Sequence, residues 1–184
     1  MTKILTPEFL VAVYRSRNPF VIAEALNIPV FHHSHPESGL AGCTMMMGHN
    51  LPVIHINSAF FSDDEEGEDD MLQVGAHELG HAINDKDEMR KNGPLMEYEI
   101  FNVKTVREVN ANKFSARIRI DLDELDDLVH SGYDYIQLAR ALHVNVNLIL
   151  YRLQDLNEEK GRSINISVHP DSGFMGSFHG AGTY

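Results

Sequence analysis

Apolar residues recur in two different rhythms along this chain, and the change from one to the other divides it. In the first third, short apolar runs sit between turn residues. Thr6-Pro7-Glu8 offers a capping hydroxyl, a proline in the first turn and then an acid, which predicts a helix start. Asn18-Pro19 repeats the signal ahead of a second short helix over Phe20 to Leu26. Residues 28–31, 40–47 and 52–57 read as strands, the last through Val53, Ile54 and Ile56. Gly48-His49-Asn50 has turn chemistry, so the second and third strands are expected to form a hairpin. Two helices and a small, partly antiparallel sheet are the prediction for this region. Beyond Asp70 the spacing is helical as far as Lys160, and no internal repeat is visible. Residues 161–184, rich in Gly, Ser and His, have no apolar period and predict an extended tail. The expected organisation is thus one α+β domain over residues 1–160, mainly helical after its small sheet, followed by a tail over 161–184.

Charge alters this picture in one place. Residues 62–70 hold seven acids and a glycine, and like charges resist packing, so a solvated loop is expected there. Asp69 and Asp70 would then stand at the start of the next helix, where its dipole favours negative charge. The whole chain carries a formal net charge of −12, which argues against nucleic acid as a direct partner. A neutral or basic protein substrate suits such a surface better. Cys43 is the single cysteine, so no internal disulfide can form, and the N-terminal residues hold no apolar run of secretory length. No stretch approaches the ~18 apolar residues of a membrane span. These features together predict a cytoplasmic protein.

The candidate chemistry lies in residues 73–83. His77-Glu78-Leu79-Gly80-His81 places two histidines four apart with a glutamate after the first. At ~100° per residue, His81 lies only about 40° round a helix from His77, so both imidazoles can hold one zinc ion. Glu78 falls beside the pair, positioned to accept a proton from water whose pKa the ion lowers to roughly 7. Leu72, Ala76, Leu79 and Ile83 occupy the opposite face, which is expected to be the buried one. Catalytic zinc takes three protein ligands and keeps one position open. Two residues compete for the third place. Glu108 lies on the next long helix, and Asn112 shares its face, where its amide can bond a ligating histidine. Asp87 follows His81 at the short spacing used by some zinc peptidases, with Met175 as a possible methionine turn. That route requires a sharp turn at Asn84, so Glu108 is favoured.

At this point the chain resembles the ImmA/IrrE family of zinc metallopeptidases. The likeness rests on an Ala before the His77–His81 motif and on Glu108-x-x-Ala111-Asn112-x-Phe114-Ser115-Ala116. It extends upstream through Ile22-Ala23-Glu24-Ala25-Leu26-Asn27-Ile28-Pro29-Val30 and the strand Val53–Asn57. Downstream it includes Leu138-Ala139-Arg140 and Tyr151-Arg152-Leu153, covering residues 18–156 in all. Arg117-Ile118-Arg119-Ile120-Asp121 departs from the Leu-Leu and Pro that often follow the second motif in the family. The resemblance implies a minimal thermolysin-like fold, with Zn2+ held by His77, His81 and Glu108, Asn112 behind them and Glu78 as catalytic base. It also implies a protein substrate, a helix-turn-helix repressor whose cleavage or inactivation releases genes it holds off.

Residues 136–156, with a turn at His143-Val144-Asn145, have the outline of a helix-turn-helix themselves. Residues 134–162 carry four basic and four acidic side chains, not the basic stripe of a DNA reader, so a packed helical hairpin is expected. His32, His33 and His35 read as a solvated turn. His49, His55, His130, Tyr98 and Tyr133 are equal candidates for stabilising an oxyanion. Three functions fit these residues: a peptidase, a zinc protein that sequesters a repressor without cutting it, and a closed structural zinc centre. Glu78 favours the first, because neither of the others needs a carboxylate there.

Overall fold

The computed structural model describes residues 5–48, 50–92 and 106–160. Helix α1 spans Pro7–Tyr14, with the Thr6 hydroxyl accepting from Phe9 N at 3.2 Å. Helix α2 spans Pro19–Ala25, and Asn18 Oδ1 accepts from Phe20 N at 2.9 Å. Both starts are as the sequence predicts: a polar cap, then proline, whose missing N–H is no loss in the first turn.

The sheet has strand order β1-β3-β2, from β1 (Val30–His33), β2 (Gly42–Met47) and β3 (Leu51–Asn57). β2 and β3 form the expected antiparallel hairpin, with Gly48 at φ +63 in its turn, and β1 runs parallel to β3. The partly antiparallel sheet is confirmed. β1 begins two residues later than expected, because the chain leaves α2 through Asn27 at φ 55, Ile28 N donates back to the Ala23 carbonyl at 2.9 Å and its side chain joins the core. Asn57 ties the β1–β2 connection down by donating to the carbonyls of His35 and Leu40, each at 3.0 Å.

Helix α3 spans Glu65–Asn84. It absorbs most of the acidic run that the sequence assigns to a loop. Asp64 caps it by accepting from Gly67 N at 2.9 Å, and Glu65, Glu66 and Glu68 lie in its first turn. There the exposed helix N–H groups and the dipole outweigh mutual repulsion. Further along, every residue from Gln73 to Ala82 is buried. The expectation of one core face and one ligand face therefore fails: Leu72 and Ile83 are only half-buried, and α3 is enclosed all round between Gln73 and Ala82. Gly75 and Gly80 allow this. A Cβ at Gly75 would meet the Phe20 ring at 2.5 Å, and one at Gly80 would meet Phe114 at 3.2 Å.

Helix α4 spans Lys86–Asn92 and α5 spans Val106–Arg119. Arg17 closes the far end of α5, donating to the carbonyls of Ile118 at 3.0 Å and Ile120 at 3.1 Å. Helices α6 (Leu122–His130), α7 (Tyr135–Ala141) and α8 (Val146–Lys160) complete the described chain. α7 opens with a capping box between Asp134 and Gln137. α7 and α8 form the expected hairpin, turning at His143 with φ 53. Leu148, Ile149, Tyr151, Leu153 and Leu156 of α8 are core residues, so the helix that would read DNA is packed inside. Each such fully buried aliphatic side chain contributes about 1.5–3 kcal/mol. The predicted tail over 161–184, with Met175, lies outside the described residues, as do His49 and Tyr98. Among the described residues, no helix is long and apolar enough to cross a membrane.

Candidate metal centre

His77 and His81 stand one turn apart on α3, with Glu108 facing them from the first turn of α5. The two Nε2 atoms are 3.0 Å apart. Glu108 Oε2 lies 3.3 Å from His77 Nε2, and Oε1 lies 3.4 Å from His81 Nε2. Two donors ~2.0–2.1 Å from one ion at the tetrahedral angle are about 3.3–3.4 Å apart. The three side chains therefore have the spacing of a shared cation, and they are the one such group among the described residues.

The far side of each imidazole is also held. His77 Nδ1 pairs with Asn112 Oδ1 at 2.8 Å, as the shared face of Glu108 and Asn112 predicts. Because an amide oxygen only accepts, the His77 proton sits on Nδ1 and Nε2 keeps its lone pair for a metal. Asn112, fully buried, donates in turn to Tyr151 Oη on α8 at 3.4 Å. His81 Nδ1 pairs with Asp85 Oδ2 at 2.6 Å. Sequence reasoning did not single out Asp85, although it lies four residues after His81 and so on its face. Asp87, the rival third ligand, is on α4 with 85% of its side chain exposed, paired to Arg90 at 2.6 Å.

Glu78 is 2% exposed and stands beside this group without joining it. The Thr44 hydroxyl on β2 lies 2.7 Å from Glu78 Oε2 and 3.0 Å from the Glu78 carbonyl. Thr44 is the second residue that sequence reasoning missed, and no local signal marks it.

Electrostatics prepare the site for positive charge. Burial works against a charged His81, but its hydrogen bonds to Asp85 and Glu108 and the charges of Glu78 and Glu108 win, raising its pKa to about 10. Burial likewise works against an ionised Glu108, yet the two histidines hold its carboxyl well below the usual range. A proton on His81 thus occupies the place a cation would take.

The remaining candidates lie elsewhere. His55 is one residue past Ile54, the partner of Thr44, so it points to the sheet face away from α3, where it stacks on Phe31. His33 and His35 cluster on that side, and His32 packs on Phe20. His130 is exposed beside Asp126 at the end of α6, and Tyr133 is exposed after it. Among the described residues, none of these partners the metal group.

A family model for M78 peptidases, described as an IrrE N-terminal-like domain, matches residues 23–154. The chain belongs to the M78 peptidase family. The match spans both histidines, Glu78, Glu108 and Asn112, and the ImmA/IrrE resemblance read from the sequence is borne out. M78 membership points to a metallopeptidase-like activity and to a metal, in keeping with the His77, His81 and Glu108 group. No curated protein and no solved structure matches the chain.

Proposed function

We propose that this M78 family member is a zinc-dependent endopeptidase acting on a protein. Its substrate in this reading is a helix-turn-helix repressor, whose cleavage relieves repression; the family resemblance supports that choice. The observation that carries the peptidase reading is the division of labour on α3. Two imidazoles converge with Glu108, while the neighbouring carboxylate of Glu78 is buried beside them and left out of the donor set. Two histidines and a glutamate are a donor set that catalytic zinc uses, and a purely structural site has no need of Glu78.

When bound, zinc would supply a Lewis acid and a water of lowered pKa. His77, His81 and Glu108 would hold it; Asn112 and Asp85 fix the ring orientations. Glu78 accepts a proton from the attacking water on its carboxylate and returns it to the amine nitrogen that leaves. Burial of the site limits competing water around that transfer.

Glu78→Gln keeps the side-chain shape and removes the proton acceptor. Turnover of a repressor or reporter peptide is expected to fall by roughly 10²–10⁴-fold, with zinc content unchanged. His77→Ala is expected to lose zinc and activity together. Repressor released at the normal rate by the zinc-loaded Gln variant would sink the hydrolytic reading and favour sequestration without cleavage.

A further inference from the structure

Strand β2 meets α3 at the one residue that the proposed chemistry asks to gain and lose a proton. A Cβ at Gly42 would stand 2.8 Å from Val74 Cγ1 and 3.1 Å from Glu78 Cγ, so the glycine makes room for the glutamate stem. Two residues on, Thr44 is 3% exposed and its hydroxyl reaches two acceptors of Glu78, Oε2 at 2.7 Å and the backbone carbonyl at 3.0 Å. One hydroxyl has one proton, so it serves one of these acceptors at a time.

We propose that Thr44, in the space left by Gly42, is a positioning residue that holds the Glu78 carboxyl in place both before and after it takes a proton. This rests on Glu78 as general base. With Glu78 ionised, Thr44 donates to Oε2. If the incoming proton lands on Oε1, that bond is kept. If it lands on Oε2, Glu78 donates to Thr44 Oγ1, and the hydroxyl turns its own proton to the Glu78 carbonyl. In both cases the Thr44 hydroxyl keeps an acceptor for its proton and a bond to the Glu78 carboxyl, so the transfer does not orphan it. A group that only donates or only accepts cannot do this.

The test uses the full chain loaded with zinc. Thr44→Val, Thr44→Ser and Glu78→Gln are compared on one quenched fluorescent peptide, and crystal structures of the Thr44 variants locate the Glu78 carboxyl. Thr44→Val removes the hydroxyl at nearly constant volume. It is expected to lower kcat by about 10–100-fold with KM nearly unchanged and zinc content intact, and to shift the carboxyl off β2. Thr44→Ser is expected to restore most of kcat. Wild-type kcat in Thr44→Val, Ser as poor as Val, or an unmoved Glu78 carboxyl in the Val crystal would each overturn the proposal. Normal turnover by Glu78→Gln sinks the general-base reading instead. Should no peptide be cleaved at all, the crystal comparison still decides what Thr44 holds.

Discussion

His81 meets Asp85 at 2.6 Å on one ring nitrogen and Glu108 at 3.4 Å on the other, with Glu78 adding its charge. Its pKa of about 10, against an ordinary 6.5, has two consequences of fixed sign. A base whose folded pKa is raised contributes stability that is complete below the unfolded value and disappears as pH rises through the folded one. Metal-free protein is therefore expected to melt at a lower temperature at pH 10 than at pH 6.5. An entering cation must also displace that proton, so apparent zinc affinity should rise by up to about tenfold per pH unit over the same window. Chelator competition at several pH values checks this, and a flat profile would contradict it. Asp85→Asn keeps an acceptor but removes the charge; it is expected to weaken zinc binding by about 10–100-fold and to flatten the profile. At this scale the sequence was informative where the geometry is local. His77, Glu78 and His81, and likewise Glu108 and Asn112, share helical faces by spacing alone. Thr44 was invisible because only the docking of a strand on a helix brings it to Glu78.

Helix α3 behaves as the axle of the fold, since α2, β2 and α5 press on it from separate directions. Its polar groups are used accordingly. Gln73, 1% exposed, donates to Asp70 at 3.0 Å and accepts from Asn145 N at 2.6 Å, while Ser115 donates to its carbonyl at 2.9 Å. Sequence periodicity predicted a single apolar face, because glycines and buried polar residues carry no apolar signal. Gly75 tests the enclosure. In an open helix Gly→Ala gains about 1 kcal/mol. Here the new methyl would meet the Phe20 ring at 2.5 Å and Pro19 at 3.2 Å. Overpacking costs ~1–3 kcal/mol, so Gly75→Ala is expected to lower the urea midpoint. A raised midpoint would show that α2 yields freely.

For the whole molecule, the −12 charge sets the background, and Asp70 is where it bears on stability. Burial first, then the charges of Glu66, Asp69 and Asp64, raise its pKa to about 7, against the bond from Gln73. For a raised carboxyl the contribution to stability is full below 3.8 and lost as pH climbs through about 7. Asp70→Asn mimics the protonated form, so it is expected to raise the urea midpoint at pH 8, to raise it less at pH 5 and to leave it nearly unchanged at about pH 3. The misread acidic run has the same origin. Repulsion among the acids is evident in the sequence, but the salt bridge from Arg119 to Asp69 at 3.2 Å and the contact of His143 with Asp69 at 3.3 Å form only in the fold. The bonds from Thr44 to Glu78, from His77 to Asn112 and from Asn112 to Tyr151 also set an order of events in synthesis. Its links bridge 34, 35 and 39 residues, so no early fragment contains them together. While the chain emerges from a ribosome, His77 and His81 are made long before Glu108, and Tyr151 comes later still. A nascent chain stalled between α5 and α8 has both imidazoles, Glu108 and Asn112 but lacks the Tyr151 hydroxyl that accepts from Asn112, so the support behind the metal group is complete only after translation has passed α8.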